Sequence, residues 1–211
     1  MTDPRAARWL IAAALGLGAI GLTTLWFLSA RPLDWLSVAQ KNRLHGRDVS
    51  GEHWDADFTL SDASGRQRTL RDFRGKIVLL FFGYTHCPDV CPTTLAKFAQ
   101  VRRMVGPDAD RVQGLFVTVD PARDSAQLLG AYVPSFDPSF IGLRGTPAQT
   151  DAAVKSFRAS YEIIERRGEI QVDHTAATYL IDAHGKTRSV SPYDEPARDL
   201  ADDVLLLLRS G

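Results

Sequence analysis

The sequence contains very little cysteine, with two such residues in a chain of 211. Both lie in the stretch CPDVC, at Cys87 and Cys91. So few cysteines exclude a scaffold held by several disulfides, and they also exclude a zinc site made of four cysteines. Whatever chemistry these thiols have, they therefore have as a pair.

The sequence also lacks an excess of charge of either sign, with 25 Lys and Arg residues against 25 Asp and Glu residues. A strong imbalance is what draws a chain to nucleic acid or to a highly charged substrate, so we do not expect nucleic acid as a partner. The hydrophobic content of 45% is that of a folded protein. The length allows one main domain with an appendage.

One long apolar run is present, at residues 9–30, and it contains no charged residue. A helix that crosses the hydrocarbon core of a bilayer needs about 20 apolar residues. A cleaved signal peptide usually has a shorter apolar region, of about 7 to 15 residues, and a small-residue cleavage site that is not evident before Arg31. We therefore predict a retained transmembrane anchor at 9–30, preceded by a cytoplasmic leader at 1–8.

The charges around this run predict its orientation. Arg5 and Arg8 precede it and Arg31 follows it, so the amino terminus tips the balance toward a cytoplasmic leader. We predict a single-pass protein of the bacterial inner (cytoplasmic) membrane whose C-terminal domain lies in the periplasm, an oxidising compartment. Residues 31–54 mix glycine, histidine and charges without a period, which predicts a linker before a folded domain at 55–211.

Within that domain, strand patterns alternate with helix patterns. The continuous apolar runs at 77–82 (IVLLFF) and 115–119 are typical of strands buried on both faces. Together with a late hairpin and an amphipathic C-terminal helix, they predict an α/β domain with a central mixed sheet flanked by helices. Further strands are predicted at 140–143, 161–164, 177–181 and 187–190, and helices at 93–105, 125–133 and 147–160.

The two cysteines follow the first buried strand, at the edge of the sheet where chemistry gathers in such folds. If the segment is helical, their spacing places the Cα atoms about 6 Å apart on one face. That distance permits either a disulfide or joint ligation of one metal ion. Pro92 could delay the start of the helix, but in both cases the positive helix end lies nearby and favours thiolates, while Asp89 opposes them.

Two thiolates alone make an incomplete metal site, so a third ligand must come from elsewhere in the fold. His174, in VDHTAATYLID before a predicted strand, is the strongest candidate, although a lone histidine is more often structural. Two thiolates and an imidazole suit Cu(I) and can also hold Cu(II), whereas zinc usually recruits a fourth protein ligand. We therefore predict a copper site formed by Cys87, Cys91 and His174.

Two more side chains are candidates to support that site. His86 is a rival ligand, but adjacent residues project in different directions, which favours a role in tuning the Cys87 thiolate. Asp120, in VTVDPARD at the end of the second buried strand, is a candidate to orient a ligand. The alternative for Asp120 is to cap the turn before Pro121, and the alternative for the cysteines is a plain disulfide staple.

At these residues the chain resembles the Sco/SenC family of copper chaperones for cytochrome c oxidase. The resemblance covers roughly residues 57–209 and rests on four motifs in order: FTLSDASG, GKIVLLFFGYTHCPDVCPTTL, VTVDPARD and DHTAATYLID. It implies a thioredoxin-like fold in which Cys87, Cys91 and His174 bind copper. It also implies delivery of copper to the dinuclear site of oxidase subunit II, or reduction of the cysteines of that site before copper enters.

The leading hypothesis is thus a metallochaperone, which is a binding and transfer protein and not an enzyme. The alternative is a thiol-disulfide oxidoreductase that keeps the oxidase copper-site cysteines reduced, with Cys87 attacking and Cys91 resolving. Two features count against this alternative. The spacing CxxxC departs from the usual CxxC. Thioredoxin-like oxidoreductases also resemble one another in placing a cis-proline before the strand that faces the active site, and this chain has His174 there instead. A peroxide-reducing enzyme and a copper-dependent redox sensor have no sequence feature of their own here.

The chaperone hypothesis also predicts partners besides the oxidase. A redox-active Cys87–Cys91 disulfide, formed in an oxidising compartment, cannot bind Cu(I) as thiolates. A periplasmic thiol reductant is therefore expected, and another protein that donates copper is a further expected partner.

Overall fold

The computed structural model describes residues 43–54, 56–166 and 169–210. In that part of the chain the strands are β1 (Arg47–Asp48), β2 (Leu60–Asp62), β3 (Gln67–Arg68), β4 (Ile77–Gly83), β5 (Val112–Thr118), β6 (Ile141–Arg144), β7 (Tyr161–Arg166), β8 (Glu169–His174), β9 (Ala177–Ile181) and β10 (Thr187–Pro192). The α-helices are α1 (Val90–Val105), α2 (Ala126–Tyr132), α3 (Pro147–Ser156) and α4 (Ala197–Ser210). Short 3₁₀ helices lie at Leu70–Phe73, Gly106–Arg111 and Val133–Ser135.

The main sheet has eight strands in the order β1-β10-β9-β4-β5-β6-β2-β3. β4, β5 and β6 run parallel, while β9 is antiparallel to β4 and β2 is antiparallel to β6. The sheet is therefore mixed, as predicted. β7 and β8 form a separate two-stranded antiparallel sheet.

β4 and β5 lie at the centre of the main sheet, and every residue of both strands is buried. This explains the continuous apolar runs at 77–82 and 115–117, because a strand covered on both faces has no solvent side to alternate with. α1 follows β4 directly and packs against α4, whose apolar stripe faces inward. The carboxyl end of β4 and the start of α1 thus meet at one edge of the sheet.

Most of the predicted elements are confirmed, with shifts at their ends. The strand predicted at 177–181 coincides with β9, and the polar stretch before it forms the β7–β8 hairpin. α1 begins at Val90 and not after Pro92, because proline in the first helical turn removes an amide that has no partner within the helix. Cys91 is therefore helical, whereas Cys87 lies in the preceding turn.

The last part of the predicted linker, residues 44–54, packs with the domain that follows it. β1 pairs with β10, Val49 is 1% exposed, and the compact unit starts at Leu44. Trp54 is also buried, and the Arg158 guanidinium lies 4.5 Å from the centre of its ring. These isolated apolar residues are buried by contacts distant in sequence, which a search for local periodicity does not detect.

The predicted leader, anchor and first part of the linker lie outside the described residues. Within residues 43–54, 56–166 and 169–210, no helix combines the length and the apolar character that a membrane crossing requires.

Two buried carboxyl groups lie where the start of the domain meets α4. Asp203 accepts hydrogen bonds from the backbone amides of His45, at 2.8 Å, and Gly46, at 3.2 Å. Glu195 is 8% exposed. Burial raises the pKa of both Glu195 and Asp203, and the negative charge of Asp199 raises both pKa values further.

Stability should therefore fall as the pH rises through the raised pKa of Glu195. A raised pKa in the folded state contributes stability that is complete below the unfolded value and is lost as the group ionises. The charged groups around Glu195 are His45, Lys97, Asp199 and Asp203. Glu195→Gln keeps the shape without a charge, so it should raise the free energy of unfolding at pH 8 above that of the wild type.

Urea unfolding of the full chain between pH 5 and pH 8 measures this effect. The exposed neighbour Asp194 gives the control, since Asp194→Asn should keep the wild-type dependence on pH. If Glu195→Gln loses stability with pH as steeply as the wild type, the carboxyl of Glu195 is not the group that titrates.

Candidate metal centre

The three predicted ligands come together beyond the carboxyl end of β4. Cys87 lies in the turn between β4 and α1, where its amide donates to the Tyr84 carbonyl at 3.3 Å. Cys91 lies in the first turn of α1, and His174 is the last residue of β8. Two sulfur atoms and one ring nitrogen from these residues all lie within 4.8 Å of one another. Three donors could therefore hold one ion with small adjustments.

The two thiols differ in their surroundings. Both are free, but Cys91 is fully buried whereas Cys87 is half-buried. Burial raises the pKa of Cys91 far above its ordinary value, and the neighbouring Cys87 raises it further. The effect of the helix end on Cys91, which was predicted to favour a thiolate, is thus outweighed by desolvation. A metal ion must displace a proton from Cys91 before that sulfur can bind it.

The imidazole of His174 is oriented as a metal ligand requires. Its Nδ1 lies 3.3 Å from the Thr175 carbonyl oxygen, and its Nε2 lies 3.7 Å from Cys91 Sγ. Burial lowers the pKa of His174, which favours the neutral form of the ring. In the tautomer with the proton on Nδ1, that nitrogen donates to the carbonyl and Nε2 presents its lone pair to the sulfur atoms.

Aromatic rings hold this imidazole from two sides. The ring of Phe81 lies 5.5 Å from it and the ring of Tyr84 lies 6.0 Å away, both nearly perpendicular to it. These contacts restrict rotation of the His174 side chain and shield it from water.

The donor set fits copper better than structural zinc. Among the His, Cys, Asp and Glu residues that the structure describes, the only group able to hold a metal consists of Cys87, Cys91 and His174. Zinc in structural sites almost always has four protein ligands, whereas soft sulfur donors with one imidazole suit copper.

Gly83, the last residue of β4, leaves space for the buried cysteine. A Cβ atom at this position would lie 2.7 Å from Cys91 Sγ and 2.9 Å from the rings of Phe81 and Phe116. We expect Gly83→Ala to lower the free energy of unfolding by about 1 to 3 kcal/mol through overpacking, and to weaken metal binding by moving the sulfur.

Chemical denaturation and a copper titration of the full chain measure both effects. Gly51→Ala is the control, because a Cβ at Gly51 would meet nothing within 4 Å. Equal unfolding midpoints for the two variants would contradict the close contact at Gly83.

Asp124 is the functional residue that sequence reasoning missed. It is fully buried and accepts hydrogen bonds from the Thr85 amide at 3.0 Å, the Thr85 hydroxyl at 2.5 Å and the Thr118 hydroxyl at 2.5 Å. These bonds fasten the turn that leads into Cys87 to the end of β5. The sequence signal that could have indicated Asp124 is its place as the second aspartate of VDPARD. A carboxylate just beyond the end of β5 can reach the turn between β4 and α1, called here the cysteine turn.

His86 lies beside the site but outside the group of three donors. Its Nδ1 is 3.2 Å from the Thr85 hydroxyl and 3.5 Å from a carboxylate oxygen of Asp124. Half of its side chain is exposed. The structure thus places His86 on the outer side of the cysteine turn.

Asp120 caps a turn, which was the alternative interpretation of this residue. Its carbonyl oxygen accepts from the amides of Arg123 and Asp124, and its own amide donates to the Thr118 hydroxyl at 3.0 Å. Its buried carboxylate pairs with the Arg123 guanidinium. Among the described contacts of this carboxylate, none is with Cys87, Cys91 or His174.

Comparisons with known proteins agree with this geometry. A family model described as SCO1/SenC matches residues 47–209. The human protein named "Protein SCO2 homolog, mitochondrial" is 34% identical over 194 residues, which span 87% of this chain and 72% of that protein.

Two solved structures with copper bound share the fold. ScoI of Bradyrhizobium japonicum is 39% identical, with a TM-score of 0.66 over 72% of this chain and 98% of that one. ScoI of Arabidopsis thaliana is 31% identical, with a TM-score of 0.69 over 74% of this chain and 98% of that one. These similarities confirm the thioredoxin-like α/β domain that the motifs implied. The order of the motifs, the fold and the family model agree, and the chain belongs to the SCO1/SenC family.

Proposed function

We propose that this chain is a copper metallochaperone that binds one copper ion through Cys87, Cys91 and His174. The observation that carries the proposal is the convergence of their three donor atoms within 4.8 Å. Two members of the same family, from Bradyrhizobium japonicum and Arabidopsis thaliana, have been solved with copper bound. Two sulfur donors and a neutral imidazole are a ligand set that stabilises Cu(I) and can also hold Cu(II).

The unequal burial of the two thiols supports transfer of the ion. Cys91 is fully buried, whereas Cys87 and His174 are both half-buried, so Cys87 is the more accessible of the two sulfur ligands. An incoming thiolate from a partner can add to a three-ligand Cu(I) ion and then displace Cys87 first. Copper thus moves by ligand exchange, without ever being free in solution.

The proposed receiver is subunit II of cytochrome c oxidase, which has a dinuclear copper site. This part of the proposal is supported by the family membership of the chain and by the intact CPDVCP and DHT motifs. The role is that of a binding and transfer protein. A thiol reductant and a copper-donating protein are its further proposed partners.

The proposed location is the bacterial inner membrane, with one anchor at 9–30 and the folded domain in the periplasm. The uncharged apolar run and the positive charges of the leader support it. A C-terminal fusion to a reporter that is active only in the periplasm tests the orientation. Activity of the same fusion without residues 1–30 would contradict the need for the anchor.

Copper titration of the reduced full chain tests the binding. Under anaerobic conditions and against a chromophoric Cu(I) chelator, we expect one copper ion per chain for the wild type. A variant with Cys87→Ser and Cys91→Ser should bind none. A wild type without a one-to-one complex rejects the chaperone function.

Copper transfer requires a separate assay. The loaded chain is mixed with the purified copper-binding domain of oxidase subunit II in the presence of excess chelator. We expect copper to appear in the oxidase domain faster than the chelator can remove it from the donor. If the chelator captures all the copper, direct transfer does not occur.

A thiol-disulfide oxidoreductase is a second candidate, favoured by the same difference in burial. An accessible Cys87 thiolate could attack a disulfide in the oxidase subunit and form a mixed disulfide. Cys91 would then attack the Cys87 sulfur, release the subunit thiol and leave a Cys87–Cys91 disulfide. A thiol reductant must restore that pair. His174→Ala separates the two candidates, because it removes a metal ligand but leaves both thiols.

A further inference from the structure

The β7–β8 hairpin carries His174 outside the main sheet. Its strands pair only with each other among the described strands, with Tyr161 opposite His174. His174 is the last residue of β8, and its partner across the strand pair belongs to the hairpin and not to the main sheet. The placement of His174 therefore depends on side-chain contacts between the hairpin and the domain.

One set of contacts fixes the base of the hairpin. The Thr175 amide donates to the Ser160 carbonyl at 2.9 Å, and the Tyr161 hydroxyl donates to Asp151 at 2.6 Å. These bonds lie where β7 leaves the domain and β8 returns to it. The part of β8 beyond the base meets the domain through other residues, among them Val172, which is 4% exposed.

Arg123 contacts the part of β8 beyond the base. Its Nη1 donates to the Ile170 carbonyl oxygen at 3.1 Å, while its Nε donates to the buried carboxylate of Asp120. Its guanidinium also lies 5.8 Å from the centre of the Tyr84 ring, which in turn packs against His174. One side chain thus joins the end of β5, the hairpin and an aromatic neighbour of the third ligand.

We propose that Arg123 is a positioning residue that holds the β7–β8 hairpin, and with it His174, against the two cysteines. The buried carboxylate of Asp120 orients the guanidinium for this contact. Asp120 therefore has a role in addition to capping the turn before Pro121. The effect on copper rests on the proposed function, since it requires His174 to be a ligand. The contact between Arg123 and the hairpin does not depend on the proposed function.

Arginine has the geometry that this contact requires. The planar guanidinium offers Nε to Asp120 and Nη1 to the Ile170 carbonyl at the same time. A lysine ammonium is a single point donor on a flexible stem and cannot hold both partners in fixed positions. Arg123→Lys should therefore keep the charge but lose much of the positioning.

Hydrogen exchange of the copper-free full chain tests the hold on the hairpin. We expect Arg123→Met to speed the exchange of the β8 amides by about tenfold, which corresponds to 1.4 kcal/mol, while the β9 amides keep their rates. Arg123→Lys should give a smaller acceleration of β8. Should Arg123→Met fail to fold, the lysine variant still decides the question.

Arg102→Met is the matched control. Arg102 pairs with Asp137 at 3.0 Å and donates to the Ala109 carbonyl at 2.6 Å, so it also joins a carboxylate to a backbone carbonyl. It donates to the Val112 carbonyl as well, at the opposite end of β5. Its loss should leave exchange in the hairpin unchanged, even though the fold is weakened.

Copper affinity completes the test. We expect Cu(I) binding to weaken by about five- to tenfold in Arg123→Met, less in Arg123→Lys, and not in Arg102→Met. The proposal is overturned if exchange of the β8 amides is unchanged in both Arg123 variants. It is also overturned if Arg102→Met weakens copper binding as much as Arg123→Met does. If His174→Ala leaves copper binding unchanged, the proposed function fails, while the exchange data still decide whether Arg123 holds the hairpin.

Discussion

Replacing His174 with alanine should weaken Cu(I) binding by at least about a hundredfold, because groups that merely support a ligand already cost 10- to 100-fold when removed. The Nε2 of this ring lies 3.7 Å from Cys91 Sγ, and in the tautomer with the proton on Nδ1 its lone pair faces that sulfur. The two thiolates that remain should still bind Cu(I) weakly. The expected result is thus a large loss of affinity with little change in the number of ions bound.

His174→Phe separates ligation from packing. A phenyl ring retains contact with Phe81 and Tyr84, whose rings lie 5.5 and 6.0 Å from the imidazole, but it has no nitrogen to bind copper. Both variants should therefore bind copper equally weakly, while His174→Phe stays closer to the wild type in stability. Competition with a chromophoric Cu(I) chelator measures the affinity, and chemical denaturation measures the stability.

His86→Ala is the matched control for this experiment. The His86 ring is also next to a cysteine in sequence, but it lies against Thr85 and Asp124 and outside the group of donors. Its removal should leave the affinity close to that of the wild type. If His86→Ala weakens binding more than His174→Ala, then the ligand has been assigned to the wrong histidine.

The parts of the fold that the sequence predicts are those with a strong local pattern. The run IVLLFF becomes β4 because a strand covered on both faces must be apolar throughout. Thr146 and Pro147 mark the start of α3 through a capping hydrogen bond and a fixed backbone angle. The spacing of Cys87 and Cys91 similarly indicates a pair that can act on one ion.

The parts that could not be predicted depend on contacts between residues far apart in the chain. Val49 is buried by strand pairing with β10, well over a hundred residues later. Asp124 reaches Thr85 across 39 positions, and Arg123 reaches Ile170 across 47. No local period encodes such contacts, so the residues alone make His174 a stronger candidate than His86, and the family resemblance is what favours it decisively.

The two cysteines of the site differ in reactivity because they differ in burial. The buried Cys91 has a raised pKa and gives up its proton only to a metal or to a strong base. Half-buried Cys87 is accessible to partners and to oxidants. The same accessibility that allows copper to be passed on therefore exposes the site to disulfide formation.

Oxidation of Cys87 and Cys91 to a disulfide should abolish Cu(I) binding, from one ion per chain to none. Their sulfur atoms already lie within 4.8 Å of each other, so a bond needs only a small movement of the cysteine turn. The product has no thiolate, and His174 alone cannot hold the ion. A copper titration before and after treatment with a mild oxidant measures the loss, with thiol labelling to count the free cysteines.

Treatment of the oxidised chain with a dithiol reductant should restore binding in full, because disulfide formation is reversible, unlike oxidation to sulfinic acid. Cys87→Ser provides the control, since it cannot form the internal disulfide and its weak residual binding should not change with mild oxidant. A disulfide-bonded wild type that still binds one Cu(I) ion would show that the sulfur atoms are not the ligands. Complete and reversible loss instead makes the redox state of this pair the condition for carrying copper, and explains why a reducing partner must act before the ion can be loaded.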